Sequence, residues 1–243
     1  MHVHPVTQKS TRERGTPMAT FVLIHGGGSS SWDWHLVAPK LEEAGHRAIA
    51  VDLPIEEQGL SLVDYAESVS SQLDEARGDS SDGDGQSEKL VIVGHSLGGF
   101  TAALVAERLD ADGLVYVAGM IPQPGETMQE WWDATGHSAL GVDSSDEQVF
   151  YNLVPDDLVV DAKAHAREET GSWMDAPWPG VGRETRTGFI AAQDDLFFPL
   201  EFAQQHARDR AGVEAVVVPG GHYVAIGAPD PLAKALAEFA DGL

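Results

Sequence analysis

The stretch "KLVIVGHSLGGFTAALVAERL", residues 89 to 109, constrains the fold more than any other. Four apolar residues run together without polar alternation, which marks a strand covered on both faces. The run enters Gly-His-Ser-Leu-Gly-Gly and continues at once into good helix formers, so strand and helix are joined by one sharp turn. A strand feeding a helix in this way is half of a parallel crossover unit.

The same grammar recurs along the chain. Compact apolar strands are predicted at 19–25, 46–54, 89–95, 112–119, 185–193 and 214–220. Helices are predicted between the first two, over 61–76 and 97–109, and from Pro199 and Pro229. The expected fold is α/β, with a mostly parallel sheet of about six strands and helices on both faces.

Alternation stops at Pro122 and resumes near residue 185, a gap too long for a plain connection. It holds Trp131, Trp132, Trp173 and Trp178, four of the six tryptophans. The expectation is a mainly helical cap over 122–184, inserted in a core formed by 19–121 and 185–243. Residues 1–18 read as a disordered extension without the apolar centre of a secretory signal, with Met18 as an alternative start. The acidic stretch 77–88 reads as a solvent loop; the ligand spacing of a calcium loop is absent.

Composition removes several classes of function. With no cysteine, thiolate metal sites and cysteine nucleophiles are excluded, and no clustered ligand set suggests a metal. A formal charge of −24 opposes binding to nucleic acid or anionic lipid. Such a surface favours solubility and suits a salty medium, a reading that stability flat or falling with rising salt would overturn. No apolar run is long enough to span a membrane, and residues 1–18 lacking a secretory signal make a cytoplasmic protein the expectation, with a homodimer left open.

Gly-x-Ser-x-Gly alone would arise by chance in roughly one chain in five of this glycine and serine content. Its position between a strand and a helix is the informative part. The turn must hold Ser96 in a strained conformation that small neighbours, Gly94 and Gly98, permit. A serine hydroxyl needs a base, and the base needs an acid to orient it. Of the ten histidines, His2 and His4 lie in the extension, while His35, His46, His165 and His206 lack a turn signal. His222 stands in "VVVPGGHYV", a glycine loop past the last strand. His25 and His95 read as loop-ordering residues. For the acid, "FIAAQDDLFFP" ends a strand with Asp194 and Asp195, and either can face the imidazole.

Together these segments resemble the α/β-hydrolase fold superfamily over residues 19 to 241. "VLIHGGGSSSWDW" resembles its oxyanion segment, "VGHSLGGF" its nucleophile elbow, "AAQDDLFFP" its acid loop and "PGGHYV" its histidine loop. The family's acid commonly precedes a proline by four positions, which selects Asp195 before Pro199. Ala192 departs from the usual glycine, which touches the turn more than the chemistry. The resemblance implies a catalytic Ser96, Asp195 and His222, with the amides of Gly27 and Leu97 as the oxyanion hole.

Within the superfamily the chain looks most like the small methylesterase and hydroxynitrile-lyase branch. The lyases carry a threonine and a lysine where this sequence has Gly26 and Tyr223. Without a nearby cation, departing cyanide has no electrostatic support, whereas backbone amides suffice for an ester's tetrahedral intermediate. Ser96 excludes the branches that use an aspartate nucleophile. The expected activity is therefore a cofactor-free serine esterase or lactonase acting on a small, moderately apolar substrate, with a lyase or other non-hydrolytic protein as the alternative. Gly26, His95, Met120, Trp131, Trp132, Trp173, Trp178 and Tyr223 are the expected pocket residues.

Overall fold

A computed structural model describes residues 19–78 and 88–243. The expected extension and most of the acidic loop lie outside the described residues. Six strands form one sheet: β1 (Ala19–Ile24), β2 (Arg47–Val51), β3 (Lys89–His95), β4 (Gly113–Val117), β5 (Arg186–Ala192) and β6 (Val216–Val218). Their spatial order is β2-β1-β3-β4-β5-β6, and every pairing is parallel.

This order contains the feature that creates a site. The chain steps outward from β1 to β2, then returns to the other side of β1 with β3 and continues in that direction. Connections on either side of this reversal leave in opposite directions, which opens a crevice at the carboxyl ends of β1 and β3.

Strand alternation divides the core into two layers. Val22, Ile24, Leu90 and Ile92 face one, covered by α2 (Leu62–Arg77), α3 (Gly99–Arg108) and α7 (Leu200–Ala211). Phe21, Leu23, Val91 and Val93 face the other, covered by α1 (Ala38–Glu43) and α9 (Pro229–Asp241), with α8 (Val224–Gly227) leading into α9. Ser61 closes a capping box with Asp64 at the start of α2, satisfying amides that the helix itself cannot pair.

Between β4 and β5 the chain makes α4 (Met128–Ala134), a 3-10 turn at His137–Leu140, α5 (Gln148–Tyr151) and α6 (Asp156–Ala164). Residues 165–185 return to β5 without regular structure. Trp131, Trp173 and Trp178 are buried in the same apolar cluster as the sheet and α3. They thus extend the main core instead of forming a separate small one. The Trp131 indole donates to Ile121 O at 3.0 Å and the Trp178 indole to Phe100 O at 3.0 Å, anchoring the insertion to the backbone past β4 and to that of α3. Among the described residues no helix is long and apolar enough to cross a membrane.

Candidate active site

Ser96 follows β3 directly and has φ 50°, a left-handed conformation that costs a non-glycine residue energy. Close packing enforces it. A Cβ on Gly94 would lie 2.6 Å from the Cβ of Ala102, and one on Gly98 or Gly99 would strike the carbonyl of His25 or Met120. The elbow can therefore press against β1 and the end of β4 only with glycine at all three positions. Met120 N–H donates to Ser96 O at 3.0 Å, holding the turn from below.

The carboxyl ends of the other strands supply the partners. His222, just past β6, places Nε2 3.0 Å from Ser96 Oγ. Its Nδ1 lies 2.9 Å from Asp195 Oδ2, in the loop after β5. All three residues are nearly sealed from solvent, with exposures of 9%, 2% and 4% for Ser96, His222 and Asp195. The other Asp195 oxygen accepts the amides of Phe197 and Phe198, both at 2.8 Å, so the carboxylate is fixed before it meets the imidazole. Asp194 is exposed and turned outward; only its backbone is engaged, its carbonyl accepting from Asn152 Nδ2 at 2.6 Å.

The loop after β1 completes the crevice. A Cβ on Gly27 would lie 2.7 Å from Leu97 Cδ2, so the Gly-Gly loop and the elbow are in contact. Leu97 lies in the 3-10 turn Ser96–Gly98 that opens α3, where the first amides of a helix have no partner within it. A Cβ on Gly26 would lie 3.2 Å from both the Ser96 Cβ and His95 Nδ1, so any side chain there would crowd the elbow.

Residues 21–235 match the Alpha/beta hydrolase family. The chain belongs to the α/β-hydrolase family. Norfluorocurarine synthase 1 from Strychnos sp is 26% identical to this α/β-hydrolase over 274 residues, spanning 93% of this chain and 97% of that protein. Pyrethroid hydrolase from Sphingobium wenxiniae is 28% identical over 253 residues, spanning 90% of this chain and 87% of that protein. Plant methylesterases are also among the relatives. The crystal structure of polyneuridine aldehyde esterase superimposes with a TM-score of 0.74 over 92% of this chain and 100% of the other; at 20% identity that likeness speaks for the fold.

Buried histidines organise the loops of this α/β-hydrolase. His25 Nε2 accepts from Leu53 N–H at 3.0 Å, so its proton is on Nδ1, which donates to Gly26 O at 2.7 Å. His95 Nε2 donates to His222 O at 3.0 Å, and His137 Nε2 donates to Phe197 O at 2.7 Å. His206 Nε2 accepts from Ile121 N–H at 3.1 Å. Burial lowers all four from the ordinary histidine value, His25 to about 4 and His95 and His206 to about 3, so they are neutral hydrogen-bonding parts. His137 carried no sequence signal, and His206 only lacked a turn signal; the packing alone reveals either.

The expected pocket residues separate. Trp173 borders a small crevice with Gly26, Gly27 and Leu97, beside the elbow. Half-buried Trp132 packs on His137 and Phe197. The others require correction. Trp131 is fully buried against Phe198 and His206, and Trp178 lines a groove of about 840 Å³ along the flank of β4 and β5 with Tyr116 and Arg210. The Met120 side chain is sealed in the core, because its strand end is roofed by the insertion. His95, an odd-numbered residue of β3, points to the α1 and α9 layer beside Trp34 and beneath His222. Tyr223 stacks on Tyr151 behind the histidine loop. The aromatic rings around His222 are instead Phe150, Phe197 and Phe198, with centroids at 5.7, 5.0 and 5.3 Å. Phenylalanines in the acid loop gave no signal distinguishing them from packing residues.

Proposed function

We propose that the chain is a cofactor-free serine hydrolase that cleaves a small, moderately apolar carboxylic ester or lactone. The observation that carries this reading is the continuous line Ser96 Oγ to His222 Nε2 at 3.0 Å and His222 Nδ1 to Asp195 at 2.9 Å. A hydroxyl, a base and an orienting carboxylate at these separations are what acyl transfer requires. The rings of Phe150, Phe197 and Phe198 around the imidazole support an apolar substrate. Pyrethroid hydrolase and the methylesterases among the relatives support ester cleavage.

In this reading Ser96 Oγ attacks the carbonyl carbon while His222 Nε2 takes the hydroxyl proton. The amides of Gly27 and Leu97 stabilise the oxyanion, a donor pair of which each member is typically worth on the order of 100-fold in rate. Collapse expels the alkoxide, which receives the proton from His222 and leaves an ester on Ser96. Water then attacks the acyl carbon while His222 takes its proton; the bond to Ser96 Oγ breaks, His222 returns the proton to Ser96, and the acid leaves. Asp195 holds the Nδ1–H tautomer and balances the imidazolium.

The relative named a synthase favours a second reading, a non-hydrolytic use of the same triad. A panel of aryl and alkyl esters, lactones and cyanohydrins, run on wild type and Ser96→Ala with fluorophosphonate labelling, separates the two. Ester turnover with a burst, lost with the label in Ser96→Ala, is the expected result. An unlabelled Ser96, or a variant with near-normal esterase activity, overturns the mechanism.

A further inference from the structure

The crevice beside the elbow holds polar groups that the proposed reaction does not use. Gly26, Gly27 and Leu97 line it, and so do Tyr65 of α2 and Glu169 and Trp173 of the segment returning to β5. Trp173 is 4% exposed, yet its indole N–H is sealed from solvent and makes no hydrogen bond. Its polar neighbours are Tyr65 and Glu169. The Glu169 carboxylate instead accepts from Gly171 N–H at 3.3 Å and, at the long distance of 3.5 Å, from Tyr65 Oη. A buried donor without a partner is costly, and interiors rarely keep one. The crevice is the space from which a partner can reach it.

We propose that the crevice is a subsite for a hydroxyl on the acyl part of the substrate, which accepts from Trp173 Nε1–H and donates to Glu169. The substrate class is then a hydroxyacyl ester or a hydroxylated lactone. The proposal rests on the serine-hydrolase reading of the site.

Size and polarity select the group. The free volume is about 10 Å³, room for one water-sized group and no more. A methyl would fit but leave the indole N–H unpaired. An ammonium has no lone pair for that N–H. A carboxylate is larger and would face Glu169 without a cation to balance it, because Arg167 is already engaged by Asp52 at 3.5 Å and Glu56 at 3.1 Å. A hydroxyl both donates and accepts, which is what an indole beside a carboxylate requires.

The chemistry at Ser96 places this group on the acyl side. The departing alkoxide takes its proton from His222, so the alcohol part lies toward that imidazole and the rings around it. None of His222, Phe150 and Phe197 lines the crevice, which opens on the oxyanion loop instead. The subsite is also formed in advance of binding. Arg167 N–H donates to Gly28 O at 3.0 Å, Arg167 Nη1 to Leu53 O at 2.9 Å and Thr170 N–H to Ile55 O at 2.9 Å, pinning the return segment over the loops after β1 and β2.

The test compares 4-nitrophenyl esters in pairs that differ by hydroxyl against methyl: 3-hydroxybutyrate with 3-methylbutyrate, and 2-hydroxybutyrate with 2-methylbutyrate. Each kcat/KM is divided by the rate in buffer, which removes the inductive effect of the hydroxyl. Wild type should favour the hydroxyl member of at least one pair by about 10-fold. Trp173→Phe keeps a ring in place without the N–H, and should bring that ratio to within about 2-fold of one. Glu169→Leu, at a half-buried position, removes the acceptor and should narrow the same ratio. No preference in wild type for either pair, or a preference that both folded variants keep, overturns the proposal. Binding of ethyl 3-hydroxybutyrate and ethyl 3-methylbutyrate to Ser96→Ala, with and without Trp173→Phe, reads the subsite without chemistry. Tighter binding of the hydroxyl ester that disappears with Trp173→Phe, in a protein that turns over no ester, would sink the hydrolase reading and leave the subsite standing. Ester turnover without discrimination in either measurement would sink the subsite and leave the hydrolase.

Discussion

Asp195 and His222 meet through one carboxylate oxygen at 2.9 Å, while the other oxygen of Asp195 is held by two amides of its own loop. The carboxylate therefore has one orientation, and the orientation decides the tautomer of the base. In Asp195→Asn, keeping the amide oxygen on Phe197 N–H and Phe198 N–H turns the NH2 toward His222 Nδ1. A donor there forces the imidazole proton onto Nε2, where it opposes the Ser96 hydroxyl. We expect kcat to fall by about 10⁴-fold with little change in melting temperature. Asp194→Asn, at an exposed carboxylate, should stay within about 2-fold of wild type. Steady-state kinetics on one aryl ester compares all three proteins, and equal losses in both variants would remove Asp195 from its role.

Gly98 makes the second test one of geometry. A Cβ there would strike the carbonyl of His25, a backbone atom tied through its own side chain to Gly26 and Leu53. Neither side can yield by a rotamer change. Gly98→Ala should cost at least about 1–3 kcal/mol by urea denaturation and should also lower activity, since the elbow and the Gly-Gly loop are pushed apart. Gly136→Ala is the contrast: its Cβ would meet nothing within 4 Å, so only the cost of its positive φ remains.

These two sites were readable from the sequence for a simple reason. Strand ends, glycine turns and the Ser, Asp, His order are local patterns, and a parallel sheet brings all strand ends to one edge. The choice between Asp194 and Asp195 came from a proline spacing carried by resemblance, and the hydrogen bonds of the acid loop give it a geometric basis. The tryptophans of the insertion were not readable in the same way. A large aromatic in the insertion can line a pocket or pack a core, and the sequence does not say which; the partner of Trp131, Phe198, lies across the insertion on the acid loop. His137 and His206 illustrate the same limit, since a buried neutral histidine bonding a distant carbonyl or amide leaves no local trace.

That distinction yields a prediction for Trp131. Its indole fills the space between α4, Phe198 and His206 and satisfies the Ile121 carbonyl. Trp131→Ala should destabilise the fold by about 3–5 kcal/mol, while specificity among esters stays as in wild type once the folded fraction is accounted for. Phe197→Ala, beside His222, should shift the ratio of kcat/KM between bulky and small esters more than it shifts stability. Chemical denaturation and a short ester series measure both, and a specificity change in Trp131→Ala would return that residue to the pocket.

Asp33 links pH to stability with a sign that can be worked out. Its folded value is raised from 3.8 to about 7 by burial, so the fold binds the proton more tightly than the unfolded chain does. Between those two values the unfolded chain releases the proton while the fold keeps it, and stability falls as pH rises. Above about pH 7 both states are ionised and the penalty is constant. A difference of this size between the folded and unfolded values corresponds to a penalty on the order of 4 kcal/mol. Asp33→Asn removes this dependence while keeping a donor to Ser29. Relative to wild type, the variant should therefore gain stability steadily from about pH 4 to about pH 7 and hold the gain at higher pH. Urea midpoints measured across that range check the slope. A wild-type curve that stays parallel to the variant's would mean that burial does not raise Asp33 in the fold.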